Sequence, residues 1–292
     1  MLYFRISCRA SSSPAAPGGG AREAVVAAPV TAARPAAADP APLRAIDLRL
    51  VVADADWGRP VWSPDGANLA LSSRHLDALA VVPAEGGAPR ELVRAAHAGY
   101  APEWTPDGGA LAYRAPGQRS GDVPLLSVRL DGGAGAPPRS RTPGVRARVL
   151  DDAVVLRSGA TERRVSPPGD RHCCAVVSPD GRFVAFQGLV SGLSVHDRET
   201  GRTHGLGPGG HAAFAPDGRR LAFDRTADDG ERLTSATLHL ADLPTDDPDG
   251  VVWIRDVAGT PALARFPSFA PDGGRLAFEA EGGVWTARVD GL

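Results

Sequence analysis

The chain has 292 residues, a formal net charge of −2 and 43% hydrophobic residues, enough to bury a sizeable core. A nearly balanced charge excludes a basic nucleic-acid-binding surface. All 32 basic residues are arginines, which excludes a Schiff-base lysine and a P-loop lysine.

Residues 1–44 mix Ala, Pro, Ser and Gly without a sustained hydrophobic period and read as a disordered tether. The opening Met1 to Cys8 is too short for a signal core and is broken by Arg5. Cys8 before a small-residue tether resembles the start of a mature lipoprotein, although Arg5 stands where a lipobox has Leu. No stretch is long and apolar enough to span a membrane. Ala45 to Val52 alternates apolar and polar residues and is predicted to be a strand.

From Val61 onward the chain repeats itself. Val61-Trp62-Ser63-Pro64-Asp65-Gly66 is followed by Leu69-Ala70-Leu71. The pattern returns at Glu103 to Tyr113, Val176 to Phe186, Ala213 to Phe223 and Ser268 to Phe278. Each copy reads as a β-hairpin. Two short apolar runs flank a Pro-Asp-Gly turn, in which Pro presets φ, Asp bonds the backbone ahead and Gly takes positive φ. The five aspartates, Asp65, Asp107, Asp180, Asp217 and Asp272, are therefore assigned to turn chemistry.

The prolines at 64, 106, 179, 216 and 271 stand 42, 73, 37 and 55 residues apart. The double-length gap predicts a degenerate copy, and Arg148 to Leu156 supplies one around Asp151-Asp152. Six units of about 41 residues match four-stranded propeller blades. This repeat resembles the PD40 (WD40-like) repeat of the TolB-like six-bladed β-propellers, over roughly residues 45–292. The resemblance implies an all-β, six-bladed propeller for 45–292, its last blade closed by the strand ending at Val52. Deleting that strand should abolish cooperative unfolding.

Outer strands are expected at Ala78 to Val82, Glu91 to Val93, Leu125 to Leu130, Leu193 to Val195, Ala236 to Leu240 and Val251 to Arg255. Thr226 to Leu233 and Leu243 to Gly250 read as loops. Two rows, Trp62/Trp104/Val177/Phe214/Phe269 and Leu71/Tyr113/Phe186/Phe223/Phe278, are assigned to packing between neighbouring sheets. The intervening Ala70, Ala112, Ala185, Ala222 and Ala277 let those sheets approach.

Chemistry-bearing motifs are scarce. There is no G-x-S-x-G, H-E-x-x-H, paired C-x-x-C or post-strand G-x-G-x-x-G. Adjacent Cys173 and Cys174 are expected on opposite strand faces, which disfavours joint ligation. Thr245 to Asp256 is a near miss to a calcium loop: it begins with Thr, carries Pro248 and ends in Asp. No metal or cofactor is assigned.

In a propeller, the loops entering a first strand or leaving a second one gather at the channel mouth. They carry Arg59, His75, Tyr100, Arg114, Arg171, His172, His211, Arg225 and Arg265, a candidate site for an acidic peptide, a partner carboxylate or a small anionic ligand. The expected function is a non-enzymatic protein- or ligand-binding platform acting as a monomer. TolB resemblance implies a periplasmic or cell-envelope location; a cytoplasmic one is the alternative. TolB proteins also carry an α/β domain that the residues before this propeller do not supply, which puts a Tol–Pal role in doubt. The alternatives are an accessory or sensor domain for a peptidase or signalling partner, and a hydrolase or lyase with its site at the channel mouth.

Overall fold

The computed structural model describes residues 30–32, 42–114, 125–136, 144–244 and 252–291, with backbone alone for 30–32. Those residues are all-β, with no helix among them. Strand β1 (Val30–Ala32) precedes β2 (Leu43–Val52). Strands β3 (Trp57–Trp62), β4 (Asn68–Ser73), β5 (Ala78–Pro83) and β6 (Arg90–Arg94) form a four-stranded meander. Strands β7 (Glu103–Trp104), β8 (Ala110–Arg114) and β9 (Leu125–Arg129) form a three-stranded sheet, as do β10 (Val145–Leu150), β11 (Ala153–Ser158) and β12 (Thr161–Arg164). Then come β13 (His172–Val177), β14 (Phe183–Gly188), β15 (Gly192–Asp197) and β16 (Thr203–Gly207). The last seven are β17 (Gly210–Phe214), β18 (Arg220–Asp228), β19 (Leu233–Asp242), β20 (Trp253–Ala258), β21 (Arg265–Phe269), β22 (Arg275–Ala280) and β23 (Gly283–Asp290).

The chain divides into two compact units: Met1–Ala33 with Thr142–Gly209, and Arg34–Arg141 with Gly210–Leu292. In the first, β13 to β16 form a meander that β1 extends by parallel pairing with β16. The segment read as tether thus contributes a short strand at its Val30-Thr31-Ala32 run, whose β-branched residues suit an edge. The degenerate copy is the hairpin β10–β11, and Asp151 and Asp152 both adopt positive φ, 48° and 60°. That pairing of left-handed residues is the two-residue turn whose twist suits a hairpin.

In the second unit, only β3 to β6 form a separate four-stranded sheet; the expected six separate blades are not all resolved. β2 bonds antiparallel to β23 and, at Leu43–Arg44, parallel to β20. The shared strand fuses two meanders into one eight-stranded sheet, ordered β17-β18-β19-β20-β2-β23-β22-β21. The expected pairing of the N-terminal strand with the last strand is present, beginning two residues earlier than the sequence suggested. The Thr226 to Leu233 stretch also departs from expectation. Ladder bonds continue through Thr226↔Ala236 and Ala227↔Ser235, so half of it extends a long hairpin and Asp229 to Arg232 form its loop. Two more expectations, a lipoprotein Cys8 and the loop at residues 245–250, lie outside the described residues.

The repeated turns form as their residues dictate. Gly66, Gly108, Gly181, Gly218 and Gly273 donate to the carbonyls of Ser63, Thr105, Ser178, Ala215 and Ala270 at 2.9–3.0 Å. Their φ values, +70° to +78°, are those glycine takes without strain. Each turn aspartate accepts the N–H two residues ahead, on Ala67, Gly109, Arg182, Arg219 and Gly274.

Packing between sheets uses the two rows around the small alanine. Ala70 lies with Trp104, Leu111 and Tyr113; Ala222 with Phe269, Leu276 and Phe278; Ala277 with Trp62, Leu69 and Leu71. The Trp104 indole N–H also donates to the Val61 carbonyl at 2.9 Å, tying the β7 sheet to the β3 sheet. Val177 and Phe214, by contrast, are only partly buried.

Candidate functional site

The first strand of four repeats shifts register at one place: Gly58/Val61 in β3, Cys173/Val176 in β13, Gly210/Ala213 in β17 and Arg265/Ser268 in β21. Within each shift a non-glycine residue has positive φ: Arg59 (49°), Cys174 (58°), His211 (50°) and Phe266 (53°). Ala101, φ 49°, holds the same place before β7. Each sits three residues before the row that runs Trp62, Trp104, Val177, Phe214 and Phe269. The left-handed conformation costs an L-residue about 1–2 kcal/mol, and for Phe it is a clear outlier. Strain retained in this way points to function. The bulge also re-aims side chains that a flat strand would alternate.

In the Gly210–Leu292 and Arg34–Arg141 unit, three of these residues meet around one ring. The His211 imidazole packs against Phe266 with centroids 3.9 Å apart and the rings tilted by 46°, and the Arg59 guanidinium lies 4.4 Å from the same centroid. Arg265 covers the ring at 5.2 Å and donates through Nη2 to Glu279 Oε1 at 2.7 Å. Gly58 is what lets Glu279 come so close, because a Cβ there would collide with its carboxylate.

The cluster is anchored by Asp224, which is 2% exposed. One carboxylate oxygen, Oδ2, accepts the Phe266 N–H at 2.9 Å and lies 2.8 Å from His211 Nδ1. A carboxylate is an acceptor, so Nδ1 carries a proton, and in the neutral imidazole Nε2 holds the lone pair. Among the described residues Nε2 takes no hydrogen-bond partner, and the side chain is 29% exposed. This is an oriented base with an open nitrogen, the arrangement that general-base chemistry requires.

Arg225, next to Asp224 on β18, lies 5.6 Å over the Phe223 ring, on which His239 also stacks at 5.4 Å. Burial, and next the Arg225 charge, hold the His239 imidazole below its ordinary pKa, with the Asp256 carboxylate opposing. Of the other sequence candidates, His75 sits in the exposed β4–β5 turn, Tyr100 is exposed ahead of β7, and Arg114 ends β8 in an exposed position. The remaining two lie in the other unit. Arg171 is exposed and donates to Asp152 Oδ2 at 3.1 Å. His172 is not solvent-facing: it is 2% exposed and packs edge-on against Phe186 at 5.5 Å.

Sequence reasoning thus named Arg59, His211 and Arg265, which come together, and missed Asp224, Phe266 and Glu279. Asp224 follows directly after Phe223 in the repeat, where the other copies carry Ser72, Arg114, Gln187 and Glu279. A carboxylate one residue beyond an apolar row was the available signal. The cysteine geometry also differs from expectation: the bulge at Cys174 brings both sulfurs to one side, 2.9 Å apart. Among the described residues, no group of three or more His, Cys, Asp or Glu is placed to hold a metal ion, and no helix is long and apolar enough to cross a membrane.

No protein-family model matches the chain, and no curated protein matches it. Solved structures do. A gluconolactonase from Xanthomonas campestris is 17% identical, with TM-score 0.51, over 89% of this chain and 98% of that one. An oligogalacturonate lyase in complex with manganese is 15% identical, with TM-score 0.47, over 79% and 88%. A β-propeller domain from Myceliophteria thermophila is 14% identical, with TM-score 0.43, over 81% and 97%. The described residues are all-β, and a propeller is among the similar structures. The expectation of a non-enzymatic binding platform is corrected here. A gluconolactonase stands among the similar structures, and the bulged strands assemble an Asp–His pair that linear spacing did not reveal.

Proposed function

We propose that the chain is a hydrolase for a small lactone or related ester of a sugar acid, built on a TolB-like six-bladed propeller, with His211 as general base. The observation that carries this reading is the Asp224–His211 pair, whose Nε2 takes no hydrogen bond among the described residues, with Arg59 on the same Phe266 ring. The gluconolactonase, similar in fold, supplies the substrate class. In the reaction, Nε2 takes a proton from water as its oxygen attacks the ring carbonyl. The Arg59 guanidinium stabilises the oxyanion, the ring C–O bond breaks, and the imidazolium returns the proton to the leaving alkoxide. Arg59 and Arg265, gathered on the Phe266 ring, suit an anionic oxygen of the substrate. The repeat's resemblance to TolB supports a periplasmic or envelope location, which fractionation of source cells tests.

The test is proton release from a panel of sugar lactones in a pH-stat, above the uncatalysed rate. His211→Asn is the informative variant, since Asn tolerates the left-handed backbone that His211 occupies. It should lose about 10²–10⁴-fold of activity while melting like the parent. A panel without turnover, or an undiminished His211→Asn rate, overturns the reading.

A further inference from the structure

Neighbouring residues on a regular strand project to opposite faces, and Cys173–Cys174 departs from that rule. β13 pairs with β14 through His172↔Gly188 and Cys173↔Gln187, and pairing resumes only at Val176↔Ala185. The slip falls on Cys174, whose φ is +58°. The left-handed turn of the backbone swings its side chain round to that of Cys173, and the two sulfurs sit 2.9 Å apart. Cys174 is exposed and Cys173 is half-buried. The same strand position carries Arg59, His211 and Phe266 in other repeats, so the sulfur pair occupies the place where those repeats present functional groups.

We propose that Cys173 and Cys174 form a redox-reactive vicinal dithiol, oxidised by exchange with a low-molecular-weight disulfide. Exposure and thiolate character set which sulfur reacts first, which selects Cys174. Its thiolate attacks one sulfur of the small disulfide, forming a mixed disulfide and expelling one small thiolate. The Cys173 thiolate then attacks Cys174 Sγ. The Sγ–Sγ bond forms, the mixed disulfide breaks, and the second small thiolate leaves. The protein loses two electrons and the small disulfide gains them; the two protons pass to the released thiolates. Because the bulge already holds the sulfurs in contact, the second step is an intramolecular attack with little backbone movement. The product is a small ring closed through the single intervening peptide; before oxidation, the two thiols 2.9 Å apart are a pair of donors that suits a trivalent arsenical.

The full chain carrying Cys8→Ser leaves only these two thiols. It is incubated with oxidised glutathione and followed by intact mass and thiol titration. The expected result is loss of both thiols, a mass lower by two hydrogens, no retained glutathione, and reversal by dithiothreitol. Phenylarsine oxide should bind stoichiometrically and block that oxidation, and should fail to do so in Cys173→Ser or Cys174→Ser. Cys173→Ser should instead trap a lasting glutathione adduct on Cys174; Cys173→Ala repeats this test with a different side chain. A lasting adduct in the two-cysteine protein, a disulfide-linked dimer, or unreacted thiols overturns the proposal.

Discussion

His211 shows how much one residue's environment depends on distant sequence. Its partner Asp224 is thirteen positions away on the neighbouring strand, and Phe266 comes from another meander. A linear reading finds His211 as a loop-end histidine but not its carboxylate, because the left-handed residue of the bulge is His211 itself and not a glycine. The same holds for Cys174, where the flat-strand rule gave the wrong face. Asp197 offers a residue-scale test of a different kind. It is 1% exposed, accepts from Arg182 Nη2 at 3.0 Å and from the Glu199 N–H at 2.9 Å. Burial pushes its carboxyl up, but the Arg182 and Glu199 hydrogen bonds win and hold it below the ordinary range. Asp197→Ala removes the buried partner of Arg182, itself 15% exposed, while the Glu199 carboxylate stays at 3.2 Å. We expect a loss of about 3 kcal/mol, at the lower end for a broken buried pair because one acceptor remains. Urea denaturation measures it, and a loss below about 1 kcal/mol would class the pair with exposed ones.

Among elements, the hairpins were the most legible part of the chain, since Pro-Asp-Gly fixes both a turn type and its bonding. Spacing alone was enough to find β10–β11, where neither Pro nor Gly survives. What the pattern did not carry was β1, too short to show a period, and the extended β18–β19 ladder, whose Thr226 to Leu233 residues are polar because both faces there are largely exposed. Two element-scale outcomes follow. Ala277 is fully buried in the same core cluster as Trp62 and Leu71, so Ala277→Leu should overpack that seam by ~1–3 kcal/mol. A parental melting temperature would show that the sheets do not meet there. Removal of β2 strips both β20 and β23 of their partner and exposes two edges. The truncated protein should unfold in a broad, non-cooperative transition by calorimetry; a single sharp peak would mean that the eight-stranded sheet stands without its shared strand.

At the scale of the whole molecule, acid should unfold this protein through its interior histidines. Burial, then the nearby Arg163 charge, holds His196 at about 4, against 6.5 when exposed. Burial likewise lowers His204 and His239. As pH falls from 6.5 to 4, the unfolded chain takes up protons that the folded chain refuses, so stability declines through that window. His196 alone accounts for up to about 3 kcal/mol of it. Urea midpoints at pH 7.5 and 4.5 should diverge, and by less in His196→Gln; an unchanged divergence would assign the acid sensitivity to other groups. The pairing of β2 with β23 has a mechanical consequence. The strands are antiparallel with Arg44 opposite Asp290, so both lead out from the same end of the ladder. Tension applied outside residues 43 and 290 loads that ladder one hydrogen bond at a time, in unzipping geometry, and never shears its bonds together. In optical tweezers the two strands should peel apart at low force before the turn-stapled hairpins yield, which makes the seam joining the two meanders mechanically the weakest.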